Sequence, residues 1–435
     1  MHRTMDRRSP NGQRGRGGGH APTARPQAGG RKALVLAGGG ITGAVYEIGA
    51  LRAIDDMLID HSVNDFDIYV GTSAGALIAA MLANGLTPEE MMQGITDSHP
   101  EFRGIQAQDL FQSNLWELLG RLPRLPRTAL RSLRKHLLRG REMAWTAFLW
   151  EFAELLPTGL YSSQALERYV ADLLARRGCI DRFDHLEKDL FVVATDLDTG
   201  ERAVFGKGGH GIVPISKAVA ASSALPGLYK PVRIDDKDYV DGGIRGNASI
   251  DLAVEAGASL VVCINPLTPL DARAIYGPQG HLVDQGLPVV LRQVLRVMLH
   301  AGLRYHIKTV RRQYPEVDII LIEPRPDDQR MFQYDLMDYA NRLRVMHYGF
   351  ESVAEHLADQ YAYVSHILGR HQIAFSPALV NEEVDEIRRS GYDARVMERV
   401  LQPGSDSLDG ALNRLEHSLL ALHHILGSDQ GPPQP

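Results

Sequence analysis

The sequence predicts an α/β fold, and three observations carry that prediction. A buried strand, Lys32 to Ala37, runs into a glycine loop and then a helix over Ala44 to Met57. A second strand, Asp67 to Val70, runs into Gly71-Thr72-Ser73-Ala74-Gly75 and a helix ending near Asn84-Gly85. Further short apolar runs, Leu190 to Thr195, Leu260 to Ile264 and Val317 to Ile322, read as buried strands set among helical patterns.

The second unit organises the rest. Strand, G-x-S-x-G and helix is the context in which a serine sits on a sharp turn with its hydroxyl exposed. Gly71 and Gly75 are expected there because a Cβ would clash in so tight a bend, and the helix N-terminus behind favours developing negative charge. A small-residue turn that happens to hold serine is the plainer alternative, and the flanking strand and helix tip the reading to a nucleophile, Ser73.

In the first unit the loop is Gly38-Gly39-Gly40-Ile41-Thr42-Gly43. It fits two chemistries. Gly38, Gly40 and Gly43 satisfy the G-x-G-x-x-G of dinucleotide sites, and the same residues suit an oxyanion hole built from backbone N–H groups. A dinucleotide fold wants an acidic residue near the end of its second strand; here that strand opens with Asp67 and ends in the serine turn. Acyl transfer is the better match.

Size and composition are ordinary for a soluble globular protein. The chain has 435 residues, 44% hydrophobic and 23% charged, enough for one large domain with extensions. A net charge of -6 gives no reason to expect a nucleic-acid partner. Cys179 and Cys263 lack metal-ligand spacing and read as packed thiols in a reducing compartment, so the expectation is no metal and a cytoplasmic setting. No run approaches the roughly 20 apolar residues that span a bilayer. Residues 1–31, basic and rich in Gly, Pro and Arg, are expected to be a disordered tail.

From Thr87 to Leu160 the pattern is helical and irregular. Arg121 to Arg141 holds eight basic residues, among them Arg127, Arg131, Arg134 and Lys135, with interleaved leucines and no acid. It reads equally as an element lying on an anionic membrane surface and as a solvated helical cap. Ser162 or Ser163 is placed to cap a helix through Arg176. Arg202 to Phe205 returns from Leu190 to Thr195 as a hairpin, and Ile215 to Ala224 reads as a small-residue helix. Asp241-Gly242-Gly243 follows a short strand and reads, by itself, as an Asx-type turn. Val289 to Arg312 is a long basic helix. Leu408, Leu412, Leu415, Leu419, Leu422 and Leu426 form a stripe expected to dock on its own domain, with oligomerisation through these C-terminal helices as the alternative.

Taken together, Gly38 to Gly43, Gly71 to Gly75, Ala221-Ser222-Ser223-Ala224-Leu225-Pro226 and Asp241-Gly242-Gly243 resemble, in order and spacing, the patatin-like phospholipases. The likeness covers roughly residues 32 to 325. It implies a three-layer α/β/α fold with a largely parallel central sheet, as a catalytic domain over 32–325 with a helical cap insertion at about 88–160. A helical region over 326–427 and a short tail over 428–435 follow. The resemblance further implies Ser73 as nucleophile, Asp241 as its partner in a dyad without histidine, and amides of Gly38, Gly39 and Gly40 as the oxyanion hole. Gly43, Gly71, Gly75, Gly242 and Gly243 would support these motifs. Hydrolysis of lipid esters through an acyl-enzyme would follow, without metal or organic cofactor, in a protein peripherally attached to anionic membrane.

A transacylase on the same dyad and a non-catalytic lipid-binding protein are the alternatives, and His210 is the residue that a Ser-His-Asp triad would draw on. Two departures from the family pattern stand out. Thr42 replaces the usual Arg or Lys, a change expected to bear on anionic substrates. Asn247-Ala248-Ser249 replaces the usual Asn-x-Pro, a change expected to affect a turn more than the chemistry.

Overall fold

In strand β1 (Arg31–Leu36) alternate side chains face opposite ways, and both ways lead into apolar packing. Leu34 and Leu36 join one core cluster, Ala33 and Val35 the other, and all four are fully buried. A strand dry on both faces calls for neighbours on both edges and helices above and below. The computed structural model supplies them; it describes residues 30–96, 99, 103–114, 157–209, 212–401, 415 and 419.

The remaining strands are β2 (Ile68–Thr72), β3 (Gln112–Ser113), β4 (Gly159–Ser162), β5 (Asp189–Asp196) and β6 (Arg202–Phe205). They continue as β7 (Gly227–Tyr229), β8 (Val232–Ile234), β9 (Lys237–Asp241), β10 (Ala258–Ile264) and β11 (Asp318–Ile322). Eight of them form one sheet in the order β11-β10-β1-β2-β5-β9-β8, with β6 also paired to β5. From β11 to β5 the pairs are parallel; β6, β8 and β9 join antiparallel. The sheet is thus mixed and mostly parallel with helices on both sides, as the resemblance implied, and the region beyond Pro326 is helical, as its own residue pattern predicts. The strands β3, β4 and β7 make a small separate sheet that sequence patterning did not anticipate.

Helix α1 (Gly40–Met57) starts earlier than the expected Ala44. Glycine permits this, because Gly40 holds φ +64° and a Cβ on it would lie 2.4 Å from the Leu336 carbonyl oxygen. The glycine loop is therefore the first turn of the helix. Helix α2 (Ala74–Ala83) follows Ser73 directly and is buried all round, as its run of small apolar residues requires. Helix α3 (Pro88–Ile95) carries a capping box between Thr87 and Glu90 and buries Met91, Met92 and Ile95 in the main core. At the helix Gln164–Arg176, Ser163 makes no side-chain cap; the Ser162 hydroxyl accepts the Gln164 amide at 3.4 Å instead.

Beyond Pro326 the helix Arg342–Asp359 packs along α1. It places Val345, Met346, Phe350 and Val353 in the same core cluster as Tyr46 and Ile54. The whole segment Arg121 to Arg141, with Arg127, Arg131, Arg134 and Lys135, and most of the leucine stripe lie outside the described residues, as does His210. Leu415 and Leu419 of that stripe are exposed. No helix among the described residues is long and apolar enough to cross a membrane.

Candidate active site

Ser73, between β2 and α2, holds φ 55° and ψ −122°, a conformation that side-chain-bearing residues rarely adopt. The strand behind and α2 ahead leave no gentler path. Gly75 is needed in the next turn because a Cβ there would stand 2.4 Å from the Leu36 carbonyl oxygen. Three hydrogen bonds brace the elbow. The Ser73 amide donates to Ser222 Oγ at 2.8 Å, Ser222 Oγ donates to the Val193 carbonyl at 2.5 Å, and Ser223 Oγ donates to the Ser73 carbonyl at 3.2 Å.

Asp241 comes to Ser73 through sheet register. Thr72 pairs with Val193 across β2 and β5, and Ala194 pairs with Asp241 across β5 and β9. Ser73 and Asp241 therefore stand level, two strands apart. Their side chains close that gap, and Ser73 Oγ donates to Asp241 Oδ2 at 2.5 Å. Asp241 Oδ1 accepts the Gly243 amide at 2.7 Å, so the turn Gly242–Ile244 fixes the carboxylate's orientation. Both side chains are buried. Burial pushes the Asp241 carboxyl up to about 6, against the downward pull of the bonds from Ser73 and Gly243.

The three loop glycines are not equivalent. The Gly38 amide donates to both the backbone oxygen and Oδ1 of Asn247, at 3.2 and 3.1 Å. The Gly39 and Gly40 amides have no acceptor among the described residues. Gly40 is the first residue of α1, so its N–H belongs to the orphan donors of a helix start. With α2 beginning at Ala74, two helix N-termini flank Ser73. Gly43 sits inside α1 with its amide on the Gly39 carbonyl, and Gly71 lies in β2.

Asn247 is more than part of a turn. Besides holding Gly38, its Nδ2 donates to Asn265 Oδ1 at 3.1 Å, and Asn265 Nδ2 donates to Glu323 Oε1 at 2.9 Å. Glu323 pairs in turn with His300 at 3.1 Å. Burial draws the Glu323 carboxyl upward, but the bonds from His300 and Asn265 hold it below the ordinary value. The loop is thereby tied, through buried polar side chains, to the edge strand region. Thr42 also departs from expectation. It is fully buried, its amide donates to the Leu336 carbonyl at 3.2 Å, and it does not line the cavity beside Ser73.

That cavity, about 160 Å³, is walled almost entirely by apolar side chains. Ile41, Val45 and Ile48 of α1 face Leu77 and Met81 of α2, Met91 and Ile95 of α3, and Leu166 and Tyr169 of the helix Gln164–Arg176. Gly38, Gly39, Gly40, Ser73 and Asp241 lie at its polar end. Leu295, Leu299, Leu336 and Met337 complete it, so residues beyond Pro326 help form the site. Sequence reasoning missed Leu336 and Met337, which carry no motif. Ser222 stood within the quoted Ala221–Pro226 segment but had no assigned role.

A model of the patatin-like phospholipase family matches residues 34–254, half of the chain. The uncharacterized protein YqhO of Bacillus subtilis is 27% identical over 227 residues, covering 50% of this chain and 64% of that protein. A probable lipid hydrolase, 463L of Invertebrate iridescent virus 6, is 21% identical over 230 residues, covering 52% and 63%. The chain thus matches somewhat under two thirds of the length of these relatives. Among solved structures, VipD of Legionella pneumophila aligns over 89% of this chain and 80% of its own, at 15% identity and a TM-score of 0.34.

Proposed function

The chain belongs to the patatin-like phospholipase family, and from that premise we propose that it is a serine lipid acyl hydrolase working through a Ser73–Asp241 dyad. The observation that carries this reading is the 2.5 Å hydrogen bond from Ser73 Oγ to Asp241 Oδ2 at the polar end of an apolar cavity. Ionised Asp241 takes the hydroxyl proton as Ser73 Oγ attacks the ester carbonyl carbon. The carbonyl oxygen gains negative charge facing the Gly39 and Gly40 amides, while Gly38, already bonded to Asn247, keeps the loop in place. Collapse expels the alcohol, which takes the proton from Asp241 and leaves an acyl-serine. Water, deprotonated by Asp241, then attacks the acyl carbon; the bond to Ser73 Oγ breaks, Asp241 returns the proton to Ser73, and the fatty acid leaves.

The apolar walls from Ile41 to Tyr169 suit the acyl chain, with the alcohol portion left toward the opening. The substrate class is therefore a lipid carboxylic ester reached at a membrane surface by a protein of the cytoplasm. A fluorophosphonate probe tests the reading directly. It is expected to label the protein at Ser73, with Ser73→Ala unlabelled and inactive on a panel of phospholipids, acylglycerols and short-chain esters. Unchanged labelling of Ser73→Ala removes the assignment.

A further inference from the structure

The helix Leu287–Gln313 has a face that no other described element covers. Leu287, Leu291, Val294, Met298 and Tyr305 recur on successive turns of one side and are 47 to 74% exposed. A helix that docks on its own domain hides such a stripe; this one hides the other side instead, through Leu303, Ile307 and Val310. Lys308 and Arg312, both exposed, continue the apolar stripe toward the C-terminus; Arg304, farther round the helix, lies 3.7 Å from Glu323. The helix contains no acidic residue at all.

This face is continuous with the cavity. Leu295 and Leu299, on the flank next to Leu291, line the cavity that holds Ser73. Ile244, just beyond Asp241-Gly242-Gly243, lines it too and is 54% exposed. An apolar route therefore runs from the outer stripe, past Leu295, to the nucleophile.

We infer that this face of the helix Leu287–Gln313 docks on an anionic lipid surface and sets the cavity opening against it. The chemistry of the face selects this occupant. An apolar stripe flanked by cations and free of acids suits acyl chains beneath negatively charged headgroups. The choice of lipid also rests on reading Ser73 as the nucleophile of a lipid acyl hydrolase, since substrate leaving a membrane would enter beside Leu295.

The test uses the full-length chain with vesicles of phosphatidylcholine containing phosphatidylglycerol, and a water-soluble short-chain ester. The triple variant Leu291→Ser, Val294→Ser, Met298→Ser changes exposed residues outside the cavity. Its vesicle binding by flotation is expected to fall at least tenfold, and its turnover of the soluble ester to stay within about twofold of wild type. Lys308→Gln with Arg312→Gln is expected to weaken binding several-fold and to flatten its dependence on salt.

Undiminished flotation of the triple variant overturns the inference. So does binding that is lost only when Arg127, Arg131, Arg134 and Lys135 become Gln, which would assign the surface to that segment. A wild-type dimer that the triple substitution converts to monomer also overturns it, making the face a contact between copies. If wild type fails to turn over any ester, the hydrolase reading fails, and flotation still decides the face.

Discussion

Ser73 and Asp241 meet through a single hydrogen bond, yet the molecule places them by different means. Ser73 is set locally. Strand, tight turn and helix occupy consecutive residues, and the strained φ of 55° is enforced within that span and by Ser222. Asp241 is set at a distance, by the pairing of β9 with β5 and of β5 with β2, in a turn that is unstrained and ordinary. Under the proposed dyad, the nucleophile is encoded by a motif, whereas its base is encoded by register.

The largest expected effect removes the local half. Ser73→Ala should lower ester turnover by roughly 10⁴-fold or more, since no other group replaces the attacking oxygen. Measured turnover within tenfold of wild type would place the chemistry elsewhere.

Next comes the half set by register. Asp241→Asn keeps the shape but cannot accept the proton, and turnover should fall by roughly 10²–10⁴-fold. With the wild-type carboxyl pushed up to about 6, activity should rise with pH through that value and level above it. The stability consequence has a definite sign. A carboxyl whose folded pKa lies above the ordinary value of about 3.9 favours folding most below pH 4 and loses that advantage as pH climbs to about 6. The loss is on the order of 3 kcal/mol at neutral pH. Urea melts should therefore show Asp241→Asn gaining stability relative to wild type between pH 4 and pH 7. A variant that instead weakens over that interval would mean that the carboxylate holds the turn together.

A smaller effect probes the brace of the glycine loop beside both halves. Asn247→Ala deletes the side-chain acceptor for the Gly38 amide and the donor to Asn265, at a cost of about 1–2 kcal/mol, or roughly tenfold in kcat. KM should change little, because Asn247 meets the loop rather than the far walls of the cavity. A loss confined to KM would contradict the positioning role.

The smallest expected effect is at His210. Under a dyad, His210→Ala should leave turnover within a few-fold of wild type. A loss equal to that of Asp241→Asn would turn the dyad into a triad and dissolve the contrast between motif and register.

The reach of the sequence follows the same division. The alternation of strands and helices and the serine turn were legible because each depends on a few consecutive residues and their periodicity; the mostly parallel sheet was implied only by the family resemblance. The start of α1 was not, since Gly40 enters the helix only with Leu336 packed against it, almost three hundred residues away. Nor was the position of Thr42, which reads as a missing cation in the glycine motif but lies buried beneath Leu336. The leading expectation for membrane contact, Arg121 to Arg141, falls outside the described residues. The exposed apolar stripe on the helix Leu287–Gln313, which the sequence marks only as long and basic, emerged once its neighbours were in place.

By itself, then, the sequence determined the succession of strands and helices along the chain and the sharp serine turn, because steric limits on φ, ψ and Cβ act between near neighbours. The tertiary structure decided which carboxylate reaches Ser73, which glycine amide Asn247 occupies, and which C-terminal leucines wall the cavity. Those outcomes depend on strand register and on packing between segments far apart in the chain, and no local pattern records either.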